Sequence, residues 1–176
     1  YETLGAFGSN CGVDDLEAII KASETCNRYG IDTLSAGGAV SFAMECYETG
    51  LIANTMSDGL VLRFGQAEAM MALVEKIGKR EGLGDLLAEG TLRAARVIGK
   101  GAEKLAMQVK GVEIPMHEPR YKHGMALHYS VHAAGADHNT GIQDNAVLKN
   151  LGPWDKIDIA ENVPTTEVSP RKARML

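Results

Sequence analysis

All five histidines of the sequence lie between His117 and His138, where imidazoles could bind a metal or move protons. His128 and His132 are four residues apart, so a helix through this segment would place both imidazoles on one face. Histidines at this spacing are a familiar ligand pair for a divalent metal, although the run lacks the glutamate of the metalloprotease motif. The alternative is that most of these histidines are structural or lie at the surface.

A second candidate site is the polar turn Asn27–Asp32, which follows an amphipathic helical pattern. The acidic run Asp14–Glu17 is typical of a helix start, and Gly30 stands where a left-handed glycine ends a helix. The inward positions predicted between these signals are Leu16, Ile19, Ile20, Ser23 and Cys26. The turn then offers the Asn27 amide and the Asp32 carboxylate on either side of Gly30. From spacing alone, it is an ordinary helix end with a solvated aspartate.

The three cysteines are too far apart to form a metal-binding run or a disulfide framework, with fifteen residues from Cys11 to Cys26 and twenty from Cys26 to Cys46. Cys26 and Cys46 fall on apolar helical stripes, so we expect them in the core. Cys11 follows a polar loop and precedes the first predicted helix, whose N-terminus would stabilise a thiolate. Cys11 is therefore the cysteine best placed for chemistry.

The composition excludes several classes of protein. A net charge of -5 and a pI near 5.5 argue against a nucleic-acid partner, because no basic patch is available to neutralise phosphates. No apolar run approaches the roughly 20 residues that a membrane helix needs, and no signal peptide opens the chain. The scattered cysteines favour a reducing compartment. We therefore expect a cytoplasmic protein with no membrane and no nucleic-acid partner.

The spacing of glycines and apolar residues predicts a mainly α fold. After the first helix, Gly37 and Gly38 precede a helix over residues 39–48, and a third helix begins near Gln66. A fourth helix is expected over residues 83–97. The side chains that these last two helices are expected to bury are Met70, Met71, Leu73, Val74, Ile77, Leu86, Leu87, Leu92 and Val97.

The chain is long enough for one domain or two small ones. Loose alternation of apolar residues in Leu105–Pro115 predicts one short β-hairpin, and we place a domain boundary beside it. The division gives a helical domain over residues 1–105 and the start of a second helical domain over residues 106–176. The second part is rich in glycine and histidine and shows only weak periodicity.

Seven blocks of the sequence, in the same order, resemble the tungsten-containing aldehyde:ferredoxin oxidoreductase family. They are Gly8–Glu17, Phe42–Glu48, Leu62–Gly65, Glu81–Gly90, Val109–Gly111, Pro115–Arg120 and Gly135–His138. The resemblance implies helical domains of the kind that follow the β-rich first domain in that family. We therefore expect this chain to be a piece of a longer polypeptide.

The resemblance implies a tungsten, or molybdenum, bis-pterin cofactor and a 4Fe–4S cluster whose ligands lie outside this chain. In the family, the pterin-contacting turn has an acid, two residues, a glycine, an aliphatic residue and a second acid. Gly30 and Asp32 match this pattern, whereas Asn27 replaces the first acid. An amide keeps one acceptor and adds donors but loses the charge. The resemblance therefore assigns Asn27, Gly30 and Asp32 to cofactor binding.

Further roles also follow from the resemblance. Glu2 matches a glutamate near the tungsten, and a buried carboxyl beside an anionic cofactor has a raised pKa that suits proton transfer. From its position alone, Glu2 is an ordinary surface acid. His138 matches the active-site histidine, and Cys11 is the candidate for a cysteine that contacts tungsten, as in the tungsten subunit of benzoyl-CoA reductase. Among the other histidines, His117 is the first candidate for a role, with Arg120 as an anion partner.

The implied reaction is oxidation of a small aldehyde to a carboxylic acid, with ferredoxin or a redox subunit as electron acceptor in an anaerobic cytoplasm. The oligomeric state is left open, with a homodimer as one option. A first alternative is a benzoyl-CoA reductase-type or other acyl-CoA- or acid-reducing tungsten subunit of the same family. A second alternative, from another class, is a non-catalytic helical module that binds a divalent metal through the histidines from His117 to His138.

Overall fold

The structure is a computed structural model that describes residues 1–141 together with Asp144 and Thr166. The α-helices in this part of the chain are α1 (Leu16–Tyr29), α2 (Thr33–Glu48), α3 (Ala67–Lys79), α4 (Leu83–Leu87), α5 (Thr91–Ile98) and α6 (His123–Val131). A π-helical turn covers Leu4–Ser9 and a 3-10 turn covers Ala102–Lys104. The strands β1 (Gln108–Val109) and β2 (Val112–Glu113) pair antiparallel. The predicted mainly α fold with one short hairpin is confirmed.

The chain forms two compact units, the first from Tyr1 to Met116 and the second beginning at His117. The hairpin belongs to the first unit, where β2 contacts α2, although the sequence-based division assigned it to the second domain. Beyond Gly141, the predicted second domain lies outside the described residues, apart from the two residues named above. Among the described helices, none combines the length and apolar character that crossing a membrane requires.

Helix α1 begins and ends where the sequence predicts. The Asp15 carboxylate accepts a hydrogen bond from the Ala18 N–H (3.1 Å), and Gly30 ends the helix with φ of 71°. The buried face differs from the predicted stripe, because Leu16 and Ile20 are each 57% exposed. The buried side chains are Ala18, Ile19, Ala22 and Cys26. Small residues face inward because α1 packs closely against α3.

Helix α2 starts at Thr33, six residues earlier than the sequence predicts, so Gly37 and Gly38 lie inside it. Asp32 is its N-cap and accepts a hydrogen bond from the Ser35 N–H (2.7 Å). A Cβ at Gly37 would lie 2.5 Å from the Ala6 Cβ, so only glycine permits the π-helical turn to pack this closely on α2. Tertiary packing therefore outweighs the poor helix propensity of the two glycines.

Helix α3 begins where the sequence predicts, with Gln66 as its N-cap. The predicted inward residues Met70, Leu73, Val74 and Ile77 are buried, and Met71 is half-buried. Its contact with α1 includes the Tyr29 ring against Gly78, where a Cβ would lie 2.3 Å from the ring. The Tyr29 hydroxyl also donates to the Glu75 carboxylate (2.8 Å). These contacts fix α1 and α3 side by side.

The predicted fourth helix is two helices, α4 and α5, separated at Gly90, which has φ of 86°. The N-cap glycine of α5 has no side chain to accept a hydrogen bond. The buried Glu113 of β2 accepts instead from the Thr91 N–H (2.8 Å) and from its hydroxyl (3.1 Å). After this break, Ala94, Ala95 and Ile98 face inward. Val97, predicted to point inward, is 70% exposed, while Leu92 is half-buried.

The second unit contains α6, whose Met125 and Tyr129 side chains are buried. The helix lacks a capping side chain at its own N-cap, Lys122. The buried Asp144 carboxylate accepts from the Gly124 and Met125 N–H groups, each at 3.0 Å. A residue outside the helix therefore caps its N-terminus, as Glu113 does for α5.

We expect Gly37→Ala to destabilise the first unit by about 1–3 kcal/mol, because the new methyl group would overlap Ala6 and force backbone shifts. Gly38→Ala is the matched control on the same helix, since its Cβ would meet the Glu113 side chain at 3.2 Å. There, the helix-propensity gain of about 1 kcal/mol offsets a small displacement. Denaturant unfolding of both variants tests this packing, and equal stabilities would contradict it.

Candidate functional site

Three of the residues predicted to bind a cofactor lie where α1 ends and α2 begins, with Asn27 in the last turn of α1. Asn27 and Asp32 are exposed on either side of Gly30, and each end of the turn is fixed by a helix cap. Asp32 uses Oδ2 for capping, and its Oδ1 accepts no hydrogen bond from the described residues. The Asn27 side-chain amide likewise makes no hydrogen bond within that part of the chain, whereas its backbone carbonyl accepts one from the Gly30 N–H (3.3 Å). The turn therefore presents an amide and a carboxylate oxygen that a polar ligand can use.

Glu2 lies in a fixed position and is not a frayed surface acid. Its Oε2 accepts a hydrogen bond from the Met116 N–H (2.8 Å), and the Tyr1 hydroxyl donates to the Met116 carbonyl (2.9 Å). The next residue, Thr3, is hydrogen-bonded through its hydroxyl to the Thr33 hydroxyl (2.8 Å). Since Thr33 follows Asp32, the segment carrying the predicted proton-transfer residue meets the start of α2.

Cys11 is fully buried, and burial raises the pKa of its thiol to about 12. Its Sγ lies 3.3 Å from the Ala6 carbonyl oxygen and 3.7 Å from that of Gly37, as expected of a thiol donor. The prediction of a stabilised thiolate is therefore wrong for this structure, because Cys11 is surrounded by carbonyl oxygens and apolar groups, which favour the protonated thiol. A tungsten-contacting role for Cys11 stays a prediction.

The other two cysteines are buried, as predicted. Burial is the main reason that the pKa of each thiol, in Cys26 and in Cys46, is raised to about 11. Neither is poised for nucleophilic or redox chemistry, because the reactive form is the thiolate. Both are core residues that pack between α1, α2 and their neighbours.

In the second unit, the half-buried His138 ring lies against His117, with ring centroids 5.0 Å apart and planes tilted by 48°. Lys122 Nζ is 3.3 Å from His117 Nδ1. Arg120 is engaged elsewhere, because its guanidinium makes two 2.8 Å hydrogen bonds to the Glu118 carboxylate. The same contact lowers the pKa of Glu118 to about 2. Arg120 therefore already has an anionic partner within the chain.

His128 and His132 lie together, with ring centroids 5.0 Å apart, as their spacing predicts. Asp137 and Thr140, which the sequence analysis did not single out, face the same two imidazoles. Thr140 Oγ1 lies 3.3 Å from His128 Nε2 and 3.1 Å from His132 Nε2, and it donates to the Asp137 carboxylate. The hydrogen bond that Asp137 accepts from the Thr140 hydroxyl is the main reason that the pKa of Asp137 is lowered to about 2. The Asp-x-x-Thr spacing of Asp137 and Thr140 is typical of a turn in which the aspartate side chain accepts from the backbone, so it could have indicated this loop from the sequence.

A cavity of about 420 Å³ lies in the first unit beside the polar turn. Its wall includes Ile31 of the turn, Ser35 of α2, and the buried Glu113 of the hairpin, together with Gly90. The sequence analysis did not identify this space, because Glu113 reaches it only through the pairing of two very short strands.

The fold and this site define a helical domain with a rigid polar turn between two capped helices. Over residues 1–176, the chain matches the family model described as aldehyde ferredoxin oxidoreductase, domains 2 and 3. The chain therefore belongs to the aldehyde ferredoxin oxidoreductase family. The recognition made from the seven sequence blocks is confirmed.

Curated relatives agree with this assignment. The chain is 42% identical over 139 residues to the tungsten-containing aldehyde ferredoxin oxidoreductase of Pyrococcus furiosus, covering 78% of this chain and 23% of the relative. For the same enzyme of Thermococcus kodakarensis the identity is 39%, with the same coverage. The aliphatic sulfonate oxidoreductase, WOR-like subunit, of Pyrococcus furiosus is 34% identical over 147 residues, covering 80% and 23%. The chain thus spans about a quarter of the length of these relatives.

A solved structure shows the same fold. The active site complex BamBC of benzoyl coenzyme A reductase, determined with 1,5-dienoyl-CoA, superposes with a TM-score of 0.63 at 24% sequence identity. The match covers 88% of this chain and 24% of that chain. At this identity, the similarity supports the helical architecture.

We expect the stability of the protein to fall as the pH rises above about 9, the ordinary pKa of a thiol. The unfolded state then loses a thiol proton that folded Cys11 keeps up to about pH 12. Because the folded state binds more protons, the free energy of unfolding decreases as the pH rises. Cys11→Ala should reduce this fall by about 1 kcal/mol per pH unit between pH 9 and 11.

Urea unfolding at a series of pH values measures this slope. Between pH 6 and 8, the wild type and the Cys11→Ala variant should have equal slopes, since the thiol is protonated in both folded and unfolded states. Equal slopes above pH 9 as well would mean that Cys11 ionises normally in the folded protein.

Proposed function

We propose that this chain is a mostly helical fragment of a tungstopterin iron–sulfur oxidoreductase that oxidises aldehydes to carboxylic acids. The observation that carries the proposal is the 39–42% identity to tungsten-containing aldehyde ferredoxin oxidoreductases over 78% of the chain. The family model matches residues 1–176, which include the polar turn and the N-terminal segment that meets it. Because the chain spans only about a quarter of those relatives, the substrate and the complete reaction belong to the longer polypeptide.

Asn27, Gly30 and Asp32 would hold the pterin part of a tungsten, or molybdenum, bis-pterin cofactor. Two features support this role, namely the exposed amide and carboxylate and the left-handed Gly30, which leaves open space where a side chain would project. The turn is rigid because Gly30 ends α1 and Asp32 caps α2. A rigid turn can direct hydrogen bonds to a ligand without losing conformational freedom on binding.

The cofactor would supply the redox centre, and the protein would position the substrate and move protons. We assign proton transfer to Glu2 and His138. The Glu2 carboxylate is held by the Met116 N–H at 2.8 Å, which fixes its direction. The half-buried His138 has its ring stacked at an angle on His117, which restricts its rotation. Groups that are restrained in this way can exchange protons at a defined atom.

The remaining partners follow from the proposed reaction. Electrons would leave through a 4Fe–4S cluster, with ligands outside this chain, to ferredoxin or a redox subunit. A small aldehyde would be the substrate, in the cytoplasm of an anaerobic cell. A homodimer remains one option for the assembly.

A reductase of the benzoyl-CoA type is the alternative within the family, and the structural similarity to BamBC is the observation in its favour. In that version Cys11 would be the cysteine that contacts tungsten, and it is fully buried. Membership of a tungsten enzyme family counts against a purely structural metal-binding module.

The experiment that tests the proposal is elemental analysis of the full polypeptide that contains this chain, purified without oxygen. We expect tungsten, or molybdenum, together with about four irons per chain, as one 4Fe–4S cluster requires. A folded, complete protein without tungsten or molybdenum would refute the proposal. Reduction of ferredoxin with a panel of small aldehydes, and with acyl-CoA thioesters for the reverse direction, would then separate the two alternatives.

We expect Asp32→Ala to lower the tungsten content of the full polypeptide at least several-fold, because it removes a carboxylate that faces the pterin. Asp15→Ala is a matched control, since Asp15 caps α1 as Asp32 caps α2. Each change removes one cap and should cost about 1 kcal/mol of stability. An equal loss of tungsten in both variants would show that only helix stability matters.

A further inference from the structure

We propose that His128, His132 and Asp137 form a binding site for a divalent transition-metal cation such as Zn²⁺. The site is separate from the residues that the proposed function uses, and it lies within the second unit. Its donor groups are two imidazole nitrogens and one carboxylate oxygen. These atoms all lie within 4.8 Å of one another.

The two imidazoles are presented by the last turn of α6. His128 lies inside the helix, and His132 is its C-cap, so the spacing of four residues brings the rings to one face. Both Nε2 atoms point toward the same place, as their distances of 3.3 Å and 3.1 Å from the Thr140 hydroxyl oxygen show. Two convergent nitrogens on a helix form a preorganised half of a metal site.

The third donor comes from the loop that follows α6. Asp137 Oδ2 lies 3.9 Å from His132 Nε2. Zinc binds nitrogen and oxygen at about 2.0–2.2 Å, so donor atoms around it are roughly 3.5 Å apart. Side-chain rotations that move these atoms by about 1 Å would therefore close the site around a cation. Small rotations of this size leave the helix and the loop in place.

The charge of the cluster suits a dication. The Asp137 side chain is 24% exposed, and among the described residues its only ion-pair partner is His132, which is charged only when protonated. Two neutral imidazoles and one carboxylate carry a net charge of -1, which a divalent cation would more than offset. Imidazole with carboxylate is a donor set typical of zinc and other first-row metals.

The loop is shaped to bring its carboxylate to the helix. The Asp137 carboxylate accepts from the Asn139 N–H (3.2 Å) and the Thr140 N–H (3.0 Å), which fixes its direction. A Cβ at Gly141 would lie 2.7 Å from His128 Nδ1, so glycine is required for the loop to pass this close to the ring. Asp144 then returns to the start of α6 and holds the helix. Hydrogen bonds of 3.0–3.2 Å therefore hold both the Asp137 loop and the start of the helix that carries the two imidazoles.

Thr140 supplies the competing explanation. Its hydroxyl donates one proton to Asp137 and can accept hydrogen bonds from both imidazoles, provided that each carries its proton on Nε2. In that case, the cluster would be a hydrogen-bond network that needs no cation. The two explanations make opposite demands on Thr140, because the network requires the hydroxyl and a cation site does not.

The test uses the full polypeptide that contains this chain, purified without oxygen and equilibrated with Zn²⁺. Zinc per chain is measured by elemental analysis, and Co²⁺ absorption reports the donor set. We expect one zinc per chain in the wild type. His128→Gln and His132→Gln should each weaken binding at least about 100-fold, since the loss of an outer-shell partner alone costs 10–100-fold. His123→Gln is the matched control on the same helix, because its Nε2 contacts the Arg120 carbonyl oxygen instead. It should bind zinc as the wild type does.

Thr140→Val separates the two explanations, because it keeps the three donor groups and removes the hydroxyl. A cation site predicts that this variant binds zinc within about 10-fold of the wild type and that zinc raises the unfolding midpoint of both proteins. A wild type that binds no stoichiometric zinc overturns the proposal. Equal binding by the His132→Gln and His123→Gln variants would also overturn it, since the zinc would then lie elsewhere. If the ligand variants do not fold, the zinc-dependent midpoints of the wild type and Thr140→Val decide the question.

Discussion

The rest of this structure depends on one interaction, the hydrogen bond from a helix N-terminus to a carboxylate that caps it. The first N–H groups of a helix need acceptors, because an unpaired buried donor is costly. Helices α1 and α2 carry their own acceptors, Asp15 and Asp32, immediately before them. Helix α5 follows a glycine and uses Glu113, and α6 uses Asp144. These two remote carboxylates connect distant segments of chain within each unit, and their hydrogen bonds explain why both can be buried.

The same arrangement places a structural demand on Asp32, the residue to which we assign pterin binding. Asp32 must direct one oxygen to the Ser35 N–H to start α2, and this constraint leaves the other oxygen facing outward. Gly30 fixes the approach of the chain from α1, so the outward direction is set from both sides. The polar turn of this family is therefore also an ordinary connection between helices.

The sequence predicts those parts of the fold that depend on local chemistry. Both ends of α1, the start of α3 and the short hairpin follow from capping signals, spacing and alternation. The start of α2 was missed because Gly37 looks like a helix breaker, although its lack of a side chain is what the contact with Ala6 requires. In the candidate sites, the pairing of His128 with His132 is visible as helical spacing. The approach of Asp137 is not visible, because it depends on a loop that folds back onto the helix.

The remote cap of α5 has a consequence for the order of events during synthesis. Helix α5 ends at Ile98, fifteen residues before Glu113, so a ribosome that adds about 5–20 residues per second completes the helix roughly one to three seconds before its cap exists. A helix of eight residues is too short to persist alone in water. Helix α2, in contrast, emerges with its cap already in place. In the nascent chain, α5 should therefore become stably helical only after the hairpin that follows it has been synthesised.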